Sequence, residues 1–503
     1  MSAPYYDWIA HHAVNRPEKV ALIDLHAGLR LDYRALEDRV ARFTGLLADR
    51  GVGRGDRVAI LAQSCAEVFE LQFACGRLGA IFVPLNWRLT QPELEFVIGN
   101  ADPALLLYGE DFAETVEGLA IEGCAKLALD ADFAKARAAA RPRAPEPVML
   151  DDVSTIIYTS GTTGRPKGAL ITHGMTFWNI VNLSGPALLN GDMVMLTVLP
   201  LFHTAGLNCY ANPAFHAGGT VLLARGFDPG ATLRMMSDRS IGITHFLGVP
   251  SHYQFMAQHP DFAAADLSGL VRAGCGGAPI PLSLLKQWEE KGVPLLQGFG
   301  MTETSPSVLS LDHADAASRI GSVGRPLQHL EARIVDEDGH DCADDEAGEL
   351  WVRGPVVTPG YWRNPEASAS AFRDGWFRTG DIARRNAEGY HYIVDRRTDM
   401  FISGGENVYP AEVENVLHQI EAVREAAVIG VPDARWGESG RAIVVVKPDH
   451  ALKADAVLDH CRARLAKYKL PRDIVFAEAL PRNATGKVLK AELRARYSGA
   501  LPC

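Results

Sequence analysis

From Tyr33 onward, the apolar residues Leu36, Val40, Phe43, Leu46 and Leu47 recur at the spacing of one helical face, and Gly51 follows as a C-terminal cap. This pattern predicts an amphipathic helix. Arg57 to Leu61, a helix around Val68 to Cys75, and Ala80 to Pro84 continue in strand, helix, strand order, the mark of a parallel sheet with helical crossovers. The apolar run Val194 to Phe202 reads as one buried strand despite Thr197 and Pro200. Ala134 to Pro147, rich in Ala, Arg and Pro, reads as an exposed connection between two subdomains.

Between residues 310 and 394 the pattern changes to short β-like runs such as Ala332 to Val335 and Glu349 to Val352, punctuated by Gly and Asp. A small barrel or sandwich is expected there. After Asp399 comes a helix with Pro410 in its first turn and Val413, Val416, Leu417 and Ile420 on one face. Strands at Ala426 to Ile429 and Ala442 to Val446 and a helix bearing Val457, Leu458, Cys461 and Leu465 complete a compact α+β unit.

A chain of 503 residues exceeds the size at which one core stops growing, so at least two domains are expected. The formal net charge of −11 argues against a nucleic-acid partner. The eight cysteines show no metal-binding spacing and read as reduced thiols, the N-terminus lacks a secretory pattern, and no window approaches a membrane span. A cytoplasmic protein is expected.

The sharpest chemical signal is Thr159, Ser160, Gly161, Thr162, Thr163, Gly164, Arg165, Pro166, Lys167 and Gly168, directly after the apolar run Thr155 to Tyr158. The glycines let backbone bend close to an anion, while hydroxyls, amides and Lys167 supply donors and charge. The segment predicts a phosphate cradle, yet it lacks the GxxxxGK[ST] order of the P-loop.

This segment resembles the signature of the adenylate-forming superfamily, which contains acyl-CoA synthetases, and further motifs follow in that family's order. Gly298, Phe299, Gly300, Met301, Thr302 and Glu303 resemble the segment that flanks adenine, contacts the α-phosphate through Thr302 and holds magnesium through Glu303, with Thr159 a second metal ligand. Gly276, Gly277, Ala278 and Pro279 resemble the loop along adenine, and Asp381 in Thr379-Gly380-Asp381 the ribose acceptor. Asp395 to Asp399 resembles the junction between a large and a small domain. The resemblance implies that Arg396 reaches the nucleotide and that Arg397 and Thr398 form the hinge, although the family commonly has Asp or Lys where this chain has Thr398. Ser403, Gly404, Gly405 and Glu406 resemble the loop that serves the coenzyme A step, and Lys487, within Pro481 to Lys487, the catalytic lysine.

The implied fold is α/β: a large N-terminal domain of two α/β subdomains plus a small β-barrel (residues 1–394), a hinge (395–399), and a small mobile α+β lid (400–503). The implied reaction uses ATP, Mg²⁺ and coenzyme A to convert a carboxylic acid to acyl-AMP and then acyl-CoA. His203, in Pro200-Leu201-Phe202-His203, is expected beside the carboxylate, and Gly206, Leu207, Phe246, Val249 and Ser305 around the acyl group. These small or apolar residues favour a medium- or long-chain fatty acid or an aryl or arylpropenoic acid. A malonyl-type synthetase, an amino-acid adenylation enzyme, a luciferase-like oxygenase and a nucleotide-binding regulatory protein are the alternatives. Peripheral membrane contact and a homodimer are left open.

Overall fold

Asp32 accepts a hydrogen bond from Ala35 N at 2.7 Å and caps the helix Tyr33–Asp49, whose Leu36, Val40, Phe43 and Leu47 are fully buried. The structure, a computed structural model, describes residues 3–121, 123–159, 166–278, 280–396, 399–403, 406–433, 436–483 and 486–499. The helix packs on a second, Ala66–Leu78, and Arg39 of the first reaches buried Glu70 of the second at 2.6 Å.

Two large sheets form the body. One has the spatial order Ala125–Ala128, Leu105–Tyr108, Arg57–Leu61, Ile81–Pro84, Val153–Thr159, Lys167–Thr172, parallel until its final antiparallel pair. The other has nine strands. Its six central ones, Leu295–Gly300, Arg272–Cys275, His245–Gly248, Val194–Thr197, Thr220–Leu223 and Val20–Asp24, are parallel, with antiparallel strands at both edges. Parallel neighbours need crossovers, and the intervening helices bury both faces of this sheet in two separate apolar clusters.

Three expectations need correction. The segment expected as an exposed connection contains the helix Ala131–Ala139, capped by Asp130. Its Phe133 packs on Phe43 and its Arg137 is buried against Glu70 at 2.6 Å. Alanine favours helix, and the two apolar or paired side chains anchor it. The run Val194 to Phe202 leaves the sheet after Thr197: Pro200 cannot donate to a ladder, and the chain turns so that His203 N donates to Pro200 O. The region expected as a barrel is a five-stranded antiparallel sheet of Glu331–Val335, Gly348–Arg353, Trp376–Arg385, Phe372–Arg373 and His391–Arg396, and no barrel-closing pair exists among the described residues.

The C-terminal region has its own sheet, Glu406–Val408, Phe401–Ser403, Gly437–Val446 and Val423–Asp433, with Pro471–Phe476 parallel to Gly437–Val446. Pro410–Leu417 and Ala454–Arg462 cover one face with Val413, Leu417, Val457 and Cys461. Lys490–Tyr497 covers the other through Leu493. Among the described residues no helix is long and apolar enough to cross a membrane.

Candidate active site

The phosphate-cradle segment joins an antiparallel hairpin, with Thr159 registered opposite Lys167. That topology differs from the strand-to-helix turn of a P-loop. The hairpin's second strand is bound to the chain at 358–362: Thr358 Oγ1 donates to Leu170 O at 2.7 Å, Leu170 N to Gly360 O, and Trp362 N to Gly168 O. Thr358 N in turn donates to Glu303 O at 2.8 Å. Lys167 Nζ lies 5.5 Å over the Tyr361 ring, and the Tyr361 hydroxyl donates to Glu303 Oε1 at 2.9 Å. Burial first, then the adjacent Glu303 carboxylate, raises the Tyr361 phenol, so it remains a donor at neutral pH. One strap thus brings together the candidate phosphate cation and the candidate metal carboxylate.

Thr302 and Glu303 occupy a short 3₁₀ turn, Thr302–Thr304, after the strand Leu295–Gly300. Gly300 permits the turn to fold back, because a Cβ there would stand 1.7 Å from Pro306 O. Buried asparagines hold its far side. Asn179 Nδ2 donates to Asn208 O at 2.7 Å and Asn179 Oδ1 accepts from Ser307 N, while Asn208 Nδ2 donates to Ser305 Oγ at 3.2 Å. Gly276 and Gly298 lie on neighbouring strand ends, with the Gly276 Cβ direction 3.0 Å from Gly298 O. Asp381 is buried on Trp376–Arg385 opposite Arg396, and its N–H donates to Thr379 Oγ1.

His203 packs on Phe202, which meets Trp87 edge-on at 6.3 Å. Burial, with a smaller contribution from the Arg88 cation, pushes the His203 imidazole down to about 4, so the ring is neutral at physiological pH. Its Nε2 is buried without a hydrogen-bond partner among the described residues. Leu207 and Val249 join one cluster with Leu247 and Tyr210. Phe246 does not belong with them: side chains alternate along His245–Gly248, and Phe246 points into the opposite layer against Tyr253. Ser305 is fully buried and bound to Asn208, and the Gly206 Cβ direction meets Pro200 O at 2.3 Å, so both shape the wall from behind.

Lys487 follows Gly486, whose backbone is left-handed at φ +80° and whose Cβ direction lies 2.7 Å from Ser251 Oγ and 3.2 Å from Val249 Cγ2. The C-terminal segment therefore lies against the wall of the same cleft. Asn483 Oδ1 accepts from Lys487 N at 2.9 Å, and Gln254 Nε2 donates to Arg424 O across the same face. The helix after Lys487 is tied to the junction: Arg494 pairs with Asp399 at 2.8 Å, and Lys490 pairs with Glu414. Ser403 and Glu406 are registered opposite one another in the hairpin beside it.

Ser160, Gly161, Thr162, Thr163, Gly164, Pro279, Arg397, Thr398, Gly404 and Gly405 lie outside the described residues, as does the side chain of Arg396. Sequence reasoning missed Tyr361 and the asparagines. Gly360-Tyr361-Trp362 carried a usable signal, a glycine-led aromatic pair after Thr358-Pro359, whereas isolated asparagines on apolar helices carried none.

The AMP-binding enzyme family matches residues 9–362, and the AMP-binding enzyme C-terminal domain matches 412–487. The chain belongs to the AMP-binding enzyme family. Within this family it is 44% identical over 492 residues to a feruloyl-CoA synthase of Amycolatopsis sp., covering 97% of this chain and 98% of the relative. It is 40% identical over 499 residues to an indoleacetate–CoA ligase of Aromatoleum aromaticum, covering 97% of each. The fold matches o-succinylbenzoate CoA synthetase of Bacillus subtilis in complex with its acyl-adenylate intermediate, with a TM-score of 0.89, 32% identity and full coverage of both chains. This AMP-binding enzyme is an AMP-forming acid–CoA ligase, with ATP and coenzyme A as substrates.

Proposed function

We propose that this ligase activates an aryl or arylpropenoic acid, with Lys487, Glu303, Thr302 and Lys167 acting on the nucleotide and acid. The observation that carries the reading is the character of the candidate acid wall: Leu207, Tyr210, Leu247 and Val249 are buried in the same apolar cluster, and none of the four bears a charge that would pair with a second carboxylate or an ammonium group. The feruloyl-CoA and indoleacetate names of two relatives agree with it.

A carboxylate is a poor electrophile until its oxygen becomes part of a good leaving group. The acid oxygen attacks the α-phosphorus, pyrophosphate departs, and the thiol of coenzyme A then displaces AMP from the acyl carbon. Lys487, whose neighbour Gly486 lies against Val249, supplies positive charge where carboxylate and α-phosphate oxygens converge. Lys167 and the amides of the hairpin loop hold the outer phosphates. Asp381 accepts from the ribose hydroxyls. His203, neutral and packed on Phe202, presents no charge to the acid. Buried Glu303, oriented by Tyr361, is an oxygen donor suited to a hard cation, with Thr159 on the adjoining strand. Magnesium bound there would neutralise phosphate charge that otherwise repels the acid. The junction at 395–399 serves as the pivot between the two half-reactions, with the Ser403–Glu406 hairpin turning toward coenzyme A in the second.

A panel of short, medium, long, dicarboxylic and aryl acids, scored by AMP release with and without coenzyme A, tests the proposal. Highest kcat/KM on an aryl acid is the expected result. Preference for malonate or a long-chain fatty acid would overturn the substrate reading.

A further inference from the structure

Beneath the turn Ala205–Cys209, Gly274, Gly276 and Gly298 form a strip without side chains on one face of the nine-stranded sheet, between Leu247 and Leu296 on the strands either side of Gly274. Tyr210, the residue that ends the turn, lies over this strip. A Cβ on Gly274 would stand 3.0 Å from the Tyr210 hydroxyl and 3.3 Å from its ring, so the missing side chain is the space the phenol occupies. Leu247 Cδ1 closes on the same point at 2.9 Å. The strip is therefore open toward Gly276 and Gly298, where the nucleotide loops begin, and blocked at Gly274.

The phenol is 6% exposed, and its ring is fixed edge-on to His245 at 5.9 Å. Other buried tyrosines have partners for their hydroxyls: Tyr33 donates to Gly219 O at 2.8 Å, Tyr253 to Gly274 O at 2.7 Å from the opposite side of the sheet, and Tyr390 to Asp315 Oδ2 at 2.7 Å. Tyr210 makes no such bond to any described residue, and its oxygen is not among the side-chain atoms sealed from solvent without a partner. Burial raises the phenol, which keeps it a neutral donor and acceptor at physiological pH. A rigid polar group at the closed end of an apolar slot favours ligands that return its hydrogen bond.

We propose that Tyr210 is the end wall of the acid pocket and that its hydroxyl hydrogen-bonds an oxygen substituent at the far end of an aryl acid. This rests on the aryl-acid reading above and adds the residue that sets both depth and ring-substituent preference. Its neighbours Leu207, Leu247 and Val249 offer only apolar surface.

The test compares kcat/KM of the wild-type enzyme and Tyr210→Phe on 4-hydroxycinnamic acid and on cinnamic acid. Loss of one hydrogen bond is expected to lower the value for the hydroxylated acid about tenfold and leave the unsubstituted acid within about twofold. Tyr210→Ala should extend the range of accepted straight-chain acids by several methylenes. Equal loss on both cinnamic acids, no change on either, or an unaltered chain-length limit in Tyr210→Ala overturns the role of Tyr210 while leaving the substrate class in place. A wild-type enzyme without activity on any aryl acid overturns both.

Discussion

The Tyr361 hydroxyl donates to Glu303 Oε1 at 2.9 Å while its ring lies 5.5 Å beneath Lys167 Nζ. A single phenol thus spans the side chains assigned to the metal and to the phosphates, from a strap hydrogen-bonded to both their elements. Tyr361→Phe keeps the ring and removes the donor to a buried carboxylate. Hydrogen bonds to charged groups are worth about 1.5–3 kcal/mol, so the magnesium concentration for half-maximal pyrophosphate exchange should rise about tenfold or more. A magnesium titration checks this, and an unchanged requirement would separate Tyr361 from the metal site.

Lys487→Ala should slow acid-dependent pyrophosphate exchange about 10²- to 10³-fold, the scale of losing one positioned electrostatic stabiliser. Attack of coenzyme A on supplied acyl-AMP should persist near the wild-type rate. Equal loss in both half-reactions would remove the assigned role.

Gly486 supports that lysine in a left-handed conformation, 2.7 Å in its Cβ direction from Ser251 Oγ. Gly486→Ala strains the backbone by about 1–2 kcal/mol and pushes on Ser251. Adenylation should fall about tenfold, with the thioester half-reaction changed less than twofold. Single-turnover measurement of each half-reaction distinguishes this from general destabilisation, which would depress both.

His252 stacks on Phe227 at 4.0 Å, and burial pushes its imidazole down to about 4. In the unfolded chain the same group titrates near about 6.5. The folded pKa is the lower one, so this contribution to stability is complete above the unfolded value and drains away as pH falls through 6.5 toward 4. Between these limits the unfolded state binds a proton that the folded state refuses. Denaturation at pH 5 should therefore take up about one proton fewer in His252→Leu than in the wild type. Potentiometric titration on adding urea measures it, and identical uptake would show that the folded protein already carries a charged His252.

Local pattern made much of the fold legible. The helix from Tyr33, the strand Arg57–Leu61 and the helix opened by Pro410 stand where apolar periodicity and capping residues put them, because each buries one face set by its own spacing. Val194 to Phe202 misled for the complementary reason. Apolarity reports burial, and Val198, Leu199, Leu201 and Phe202 are buried in a turn whose direction Pro200 decides. Phe246 and Val249 looked equivalent as apolar neighbours, yet strand alternation sends them to opposite layers.

By itself, the sequence determined the chemistry on offer: a hydroxyl- and glycine-rich loop before Lys167, a carboxylate at Glu303, another at Asp381 and a cation at Lys487, each carried by a short contiguous motif. Only the tertiary structure decided that Tyr361 joins Glu303 to the Lys167 strand, that Asn179 binds Asn208 and Ser307, and that Gly486, next to Lys487, lies against Val249 and Ser251. These are contacts between residues far apart in the chain. Their energy comes from desolvated polar partners meeting in a packed interior, a condition that no local spacing encodes.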